Sequence, residues 1–296
     1  MNHSSEEGLR ANIVEIGRRL HDRGYVASND GNISVRIGDE WLLTTPKGVS
    51  KGFLSPDMMV VTDLAGKKVR GHRDPSSELL MHLEVYRNRP DARAVVHAHP
   101  PVATGFAVAG IPLDRAVLAE VITTLGSIPI ADYGTPSTQE LPDAVRKYIK
   151  AHDGLLLANH GALTVAGELF AAYYKMETIE HFARISLVAR LLGRERLLSR
   201  EEVDRLQGLR GTYGIAAPAP LCDVDTVGAT GSQTDDATCQ VIQAPIATGA
   251  RLVDEGFGPG PSDGPAPPVG ESQDGEIRLT YRQLTALIEE AVKALR

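Results

Sequence analysis

Apolar residues recur at three- and four-residue steps near the start of the chain. Leu9, Ile13, Ile16 and Leu20 fall on one face of a helix that ends near Gly24. Shorter apolar runs follow. WLLTTP and MMVVTD predict strands, and VVTDLAGKKVRG predicts a strand, a turn at Gly66 and a returning strand. SSELLMHLEVYRN has helical spacing. ARAVVHAH predicts a buried strand ending in two histidines, and GLLLANHG a second ending in one. GELFAAYYKMETIEHFARISLVARLLG predicts a long helix with a wide apolar face. Helical and strand patterns mixed in this way imply an α/β layered fold around a central sheet.

The pattern changes near residue 215. Residues 216–275 are rich in Gly, Pro, Ser and Asp, a composition that buries too little apolar surface to offset the entropy of ordering. We read a catalytic domain over 1–215, a flexible linker over 216–275 and a terminal helix over 276–296. In that helix Leu284, Leu287, Ile288, Ala291, Val292 and Leu295 share a face, and Thr280 stands as its N-cap. A tethered apolar stripe has no core of its own, so it buries against a partner or folds back on its own subunit.

Hydrophobic residues make up 42% of the 296 residues and the formal charge is −7, which supplies a core but no basic face for nucleic acid. No apolar run approaches the roughly 18 residues of a membrane span. The acidic, polar N-terminus does not read as a secretory signal. With only Cys222 and Cys239, both in the linker, a reducing cytoplasm is the expected compartment.

The candidate chemistry lies at the strand ends. In VVHAHP, His97 and His99 are two apart and share a face in a strand, so both imidazoles reach one ion. His160 ends another buried run. Three imidazoles with an open position suit a catalytic zinc site; the competing account makes them hydrogen-bonded core histidines. Glu78 sits where DPSSELLMHL turns from loop to helix. Read locally, it is either a helix-start acid in the first turn, with Ser76 or Ser77 as cap, or a carboxylate that moves protons beside a metal. SNDGNISV and TTPKGVSKG place Gly31 and Gly48 beside small polar groups. Asn32, Lys47, Ser76 and Ser77 can donate to phosphate oxygens there, or the segments are ordinary turns.

Taken in order, GNIS at Gly31–Ser34, TPKG at Thr45–Gly48, PSSE at Pro75–Glu78, HAHP at His97–Pro100 and NHG at Asn159–Gly161 resemble the class II aldolase/adducin family, nearest its L-fuculose-1-phosphate aldolase branch. The resemblance covers most of residues 8–215. It implies a three-layer αβα sandwich with a mainly antiparallel central sheet, and a homotetramer with active sites between subunits. It also implies one zinc ion per subunit on His97, His99 and His160, with Glu78 as catalytic carboxylate. Gly31, Asn32, Lys47, Gly48, Ser76 and Ser77 fall on the family's phosphate site, and Tyr213 matches a tyrosine that closes over the substrate. The implied reaction is cleavage of a ketose 1-phosphate to dihydroxyacetone phosphate and an aldehyde such as lactaldehyde. Where the aldolases carry an interface tyrosine this chain has Leu118, and Glu120 two residues on is the expected substitute acid or base. A dehydratase or decarboxylase on the same scaffold, and a non-catalytic interaction protein, are the alternatives. The Pro/Gly-rich linker and terminal helix resemble the encapsulation peptides of bacterial microcompartment enzymes, which implies shell or cargo partners for 276–296.

Overall fold

The computed structural model describes residues 5–212 and residue 215. They fall in the first of two compact units, Met1–Ile242; the second, Gln243–Arg296, lies outside the described residues. So do Tyr213, both cysteines, the linker read over 216–275 and the helix read over 276–296.

The chain opens with helix α1 (Glu6–Asp22), capped by the Ser5 hydroxyl and burying Ile13, Ile16 and Leu20. An antiparallel meander follows: β1 (Asn32–Ile37), β2 (Trp41–Thr44), β3 (Val60–Asp63) and β4 (Lys68–Arg70). Then come α2 (Leu79–Asn88), β5 (Ala94–Ala98), α3 (Pro101–Val108), α4 (Ala119–Thr124), β6 (Ile130–Ala131) and α5 (Glu140–Arg146). The hairpin β7 (Gly154–Leu157) and β8 (Gly161–Ala166) leads to α6 (Leu169–Leu191) and α7 (Arg200–Leu209). The eight strands form one sheet in the order β4-β3-β2-β1-β5-β8-β7-β6, antiparallel except for the β6–β7 pair. Strand β8 was not foreseen. Its sequence, GALTVA, is small and apolar without alternation, and it buries every residue.

Side chains on β5 alternate between two apolar clusters, as a pleated strand requires. Val96 and Ala98 join Ile33, Val35 and Leu156 beneath α1, α3, α4 and α6. Val95 joins Leu42, Leu155, Leu163 and Val165 beneath α2 and α5. Burial on both faces is what gives β5 and β7 their unbroken apolar runs. Among the described residues no helix is long and apolar enough to cross a membrane.

Two buried polar groups tie helices to this frame. Glu180 of α6 accepts from the amides of Val102 at 3.1 Å and Ala103 at 2.9 Å, doing for α3 what an N-cap side chain would do. Its other oxygen takes Arg184 at 2.9 Å. On the opposite side of the sheet, His82 of α2 meets the Ser34 hydroxyl of β1 at 2.7 Å, and burial pushes its pKa down to about 4.

Glu180→Ala leaves the buried Ala103 amide and the partly buried Val102 amide without their acceptor, and should cost about 2–3 kcal/mol in urea unfolding. The native state holds His82 neutral, whereas the unfolded chain protonates it below about pH 6.5. Stability therefore falls as pH drops from about 6.5 toward 4, by about 3 kcal/mol from this group. His82→Asn, which keeps a partner for Ser34, should unfold with a correspondingly shallower pH dependence over that range.

Candidate functional site

The register of the sheet assembles the site. Antiparallel pairing of β1, β5 and β8 brings the start of β1, the end of β5 and the start of β8 to one end of the sheet. Asn32 lies directly opposite His97. His99 follows one residue beyond β5, and His160 closes the three-residue turn between β7 and β8, where Asn159 adopts φ 55°. His160 is thus a turn residue rather than the end of a strand. Gly161 permits the convergence: a Cβ there would lie 2.5 Å from His99 Cδ2 and 2.6 Å from the Ala98 carbonyl oxygen.

One ring nitrogen from each of His97, His99 and His160 lies within 4.8 Å of the others, a set able to hold a metal ion. The hydrogen bonding favours that occupant. His97 Nδ1 faces the Ala162 carbonyl oxygen at 2.9 Å, and His99 Nδ1 faces Asp30 Oδ2 at 3.4 Å. Both acceptors favour the Nδ1–H tautomer, which leaves two Nε2 lone pairs facing each other across 3.1 Å. A divalent cation resolves that opposition. Burial keeps His97 and His99 below the usual histidine pKa, in the neutral form that binds metal.

Glu78 reaches the same point. Its carboxylate accepts from Asn32 Nδ2 at 2.7 Å and lies 3.1 Å from His160 Nε2 and 3.4 Å from His97 Nε2. Glu78 occupies the N-cap position of α2, not its first turn, and its side chain caps nothing. The Ser76 hydroxyl instead accepts from the Glu78 amide at 3.3 Å, so the expected capping by Ser76 or Ser77 reduces to a tight turn that aims Glu78 away from the helix. Burial raises the Glu78 pKa, but His97, His160 and the Asn32 amide outweigh it and hold the carboxyl below the usual range.

A cavity of about 390 Å³ opens beside these groups, lined by Gly31, Asn32, Lys47, Gly48, Ser76, Ser77, Glu78, His99 and His160. Two loops distant in sequence build it together. Pro46 and Pro75 form a β-bridge, the Lys47 amide donates to the Asp74 carbonyl, and the Ser76 amide donates to the Thr45 carbonyl. Gly31 has φ 70°, and its Cα hydrogen faces the His97 carbonyl where a Cβ would lie 2.8 Å away. Lys51, Asp30 and Ser137 also line or support the cavity and were not foreseen. Lys51 and Asp30 lie inside the TTPKGVSKG and SNDGNISV segments, and burial distinguishes Lys51 from Lys47. Ser137, at φ 65°, comes from a loop with no sequence signal.

Glu120 is elsewhere. It stands in the first turn of α4 and lines a separate cavity with Arg23, Tyr25, Glu177 and His181. Within one chain it does not join Glu78 and the histidines.

Residues 11–187 match the family described as Class II Aldolase and Adducin N-terminal domain, and the chain belongs to that family. It is 32% identical over 189 residues to 3-oxo-tetronate 4-phosphate decarboxylase of Pectobacterium atrosepticum, covering 62% of this chain and 86% of that one. It is 38% identical over 174 residues to L-fuculose phosphate aldolase of Methanococcus vannielii, covering 59% and 93%. A solved L-fuculose 1-phosphate aldolase superposes with a TM-score of 0.65 at 31% identity, covering 70% of this chain and 98% of that one. The α/β fold with its largely antiparallel sheet is that of the class II aldolases.

Gly161→Ala should lower the metal content of the purified protein several-fold without removing any imidazole, because the new methyl displaces the His99 ring. Elemental analysis after dialysis checks this, and a variant with full metal content would show that the convergence tolerates a Cβ.

Proposed function

We propose that the protein is a zinc-dependent lyase that cleaves a carbon–carbon bond in a small phosphorylated sugar, a ketose 1-phosphate such as L-fuculose 1-phosphate. What carries the reading is one juxtaposition: the Glu78 carboxylate stands 3.1 Å and 3.4 Å from two of three converging imidazoles, on the wall of a cavity rich in amide, hydroxyl and ammonium donors. His97, His99 and His160 would hold one zinc ion per subunit. When bound, the ion supplies Lewis acidity that stabilises negative charge developing on the substrate's ketone oxygen.

The remaining roles belong to the chain. Gly31, Asn32, Lys47, Gly48, Ser76 and Ser77 hold the phosphate and so fix the sugar's distance from Glu78. A base removes the proton of the C4 hydroxyl, the C4 oxygen forms a carbonyl, and the C3–C4 bond breaks with its electron pair passing toward C2. Glu78 delivers a proton to C3, giving dihydroxyacetone phosphate and an aldehyde such as lactaldehyde. In the reverse direction its carboxylate takes that proton. Glu120 of a neighbouring subunit is the proposed partner for the C4 oxygen in a homotetramer, with Tyr213 closing over the substrate. The terminal segment 276–296 is proposed to dock on microcompartment shell or cargo proteins.

The likeness to a 3-oxo-tetronate 4-phosphate decarboxylase favours one second reading. Loss of carbon dioxide from a 3-oxo acid leaves the same kind of electron pair beside a carbonyl. Glu78 would protonate that carbon equally well. Product analysis separates the two: one yields an aldehyde and the other carbon dioxide.

Glu78→Gln should retain zinc by elemental analysis and lose about 100-fold or more in turnover with dihydroxyacetone phosphate and a panel of aldehydes. Full activity in that variant removes Glu78 from the proton-transfer role.

A further inference from the structure

Lys51 is the buried cation of this cavity. The residue is only 2% exposed although it carries a charge, and it lines the cavity with Ser76, Ser77 and Gly31. Its backbone is closely packed. It opens a single 3-10 turn (Lys51–Phe53) whose backbone packs so closely on α1 that a Cβ at Gly17 would lie 2.6 Å from the Lys51 carbonyl oxygen. Nζ donates to the carbonyls of Val49 at 2.7 Å and Asn29 at 2.9 Å. An ammonium has three donors, so one remains. Among the described residues no carboxylate lies within 4.0 Å of Nζ, whereas buried Arg89 and Glu180 each have an ionic partner. Asp30 and Glu78 act on it only from farther away. A buried charge so weakly paired costs several kcal/mol in general, and a ligand of opposite charge would offset that cost.

We infer that Lys51 is the counter-cation of the substrate's phosphate and that it makes the cavity select a phosphate dianion over a neutral group at that end of the sugar. This rests on the reading of the substrate as phosphorylated and adds a residue to it. Lys47, on the same loop, is exposed, so water and salt screen its charge. Lys51 acts from a site with little water, where one charge-assisted hydrogen bond counts for more. The serine hydroxyls give direction to the phosphate, and Lys51 gives the charge balance.

The test is calorimetric titration of inorganic phosphate into the full-length, zinc-loaded protein, as wild type and as Lys51→Gln. The Gln variant removes the charge and keeps a polar N–H2 group on a side chain one atom shorter. The expected result is a loss of about tenfold or more in phosphate affinity with zinc content unchanged. With an aldolase substrate, KM should rise by a similar factor while kcat changes far less. Selective 15N-lysine labelling of the wild type gives a second readout that no folding defect can obscure: the buried Nζ resonance should shift as phosphate is added. Phosphate affinity in Lys51→Gln within about twofold of wild type, or a Lys51 resonance unmoved by phosphate, overturns the inference. If phosphate binding depends on Lys51 but no phosphorylated ketose is cleaved, the aldolase reading fails and this one stands.

Discussion

Two imidazole nitrogens face each other across 3.1 Å, each on a ring whose far nitrogen already meets an acceptor. Everything else at this end of the sheet is arranged to make that approach possible and permanent. The β5–β8 register delivers the carbonyl of Ala162 to His97. The turn after β7 swings His160 in, and Gly161 yields the space its side chain would fill. Such crowding of neutral nitrogen lone pairs is unfavourable without a shared cation, so the fold stores in advance the geometry that binding a divalent ion rewards.

The frame around this point is held by buried polar contacts rather than by apolar packing alone. Glu180 reaches across from α6 to hold the start of α3, immediately after the His99–Pro100 corner. Ser34 and His82 join β1 to α2, the helix that follows Glu78. Each contact fixes the angle of an element that adjoins a candidate site residue, His99 before α3 and Glu78 before α2. Apolar packing would tolerate small sliding of those helices, whereas a satisfied buried hydrogen bond resists it.

Much of this was legible in the sequence because the relevant signals are local. The two-residue spacing of His97 and His99 states that they share a face, and apolar runs mark the strands that bear them. The amphipathic spacing of α1 likewise needed no long-range information. What was hidden depends on partners far away in the chain. β8 lacks alternation because both its faces are covered. That Glu78 stands ahead of α2 and turns toward the histidines, rather than lying in the first turn of the helix, accompanies the pairing of the 45–47 and 74–76 backbones, which no spacing rule encodes. Lys51 and Lys47 read alike as sequence and differ only in what covers them. Glu120 illustrates the opposite limit: its position within one chain sets it apart from the histidines, and only assembly with a second copy could unite them.

The bridge between the loops at Pro46 and Pro75 has a consequence for what the cavity can measure. The 45–47 backbone and the 74–76 segment that leads into Glu78 belong to one hydrogen-bonded piece, so neither can move outward to accept a longer molecule without dragging the other. The span from the anchored end of a substrate to the reacting carbon is then a fixed gauge. On the proposed reading, a sugar lengthened or shortened between those two points would present the wrong carbon to Glu78, while atoms beyond the broken bond remain free to vary.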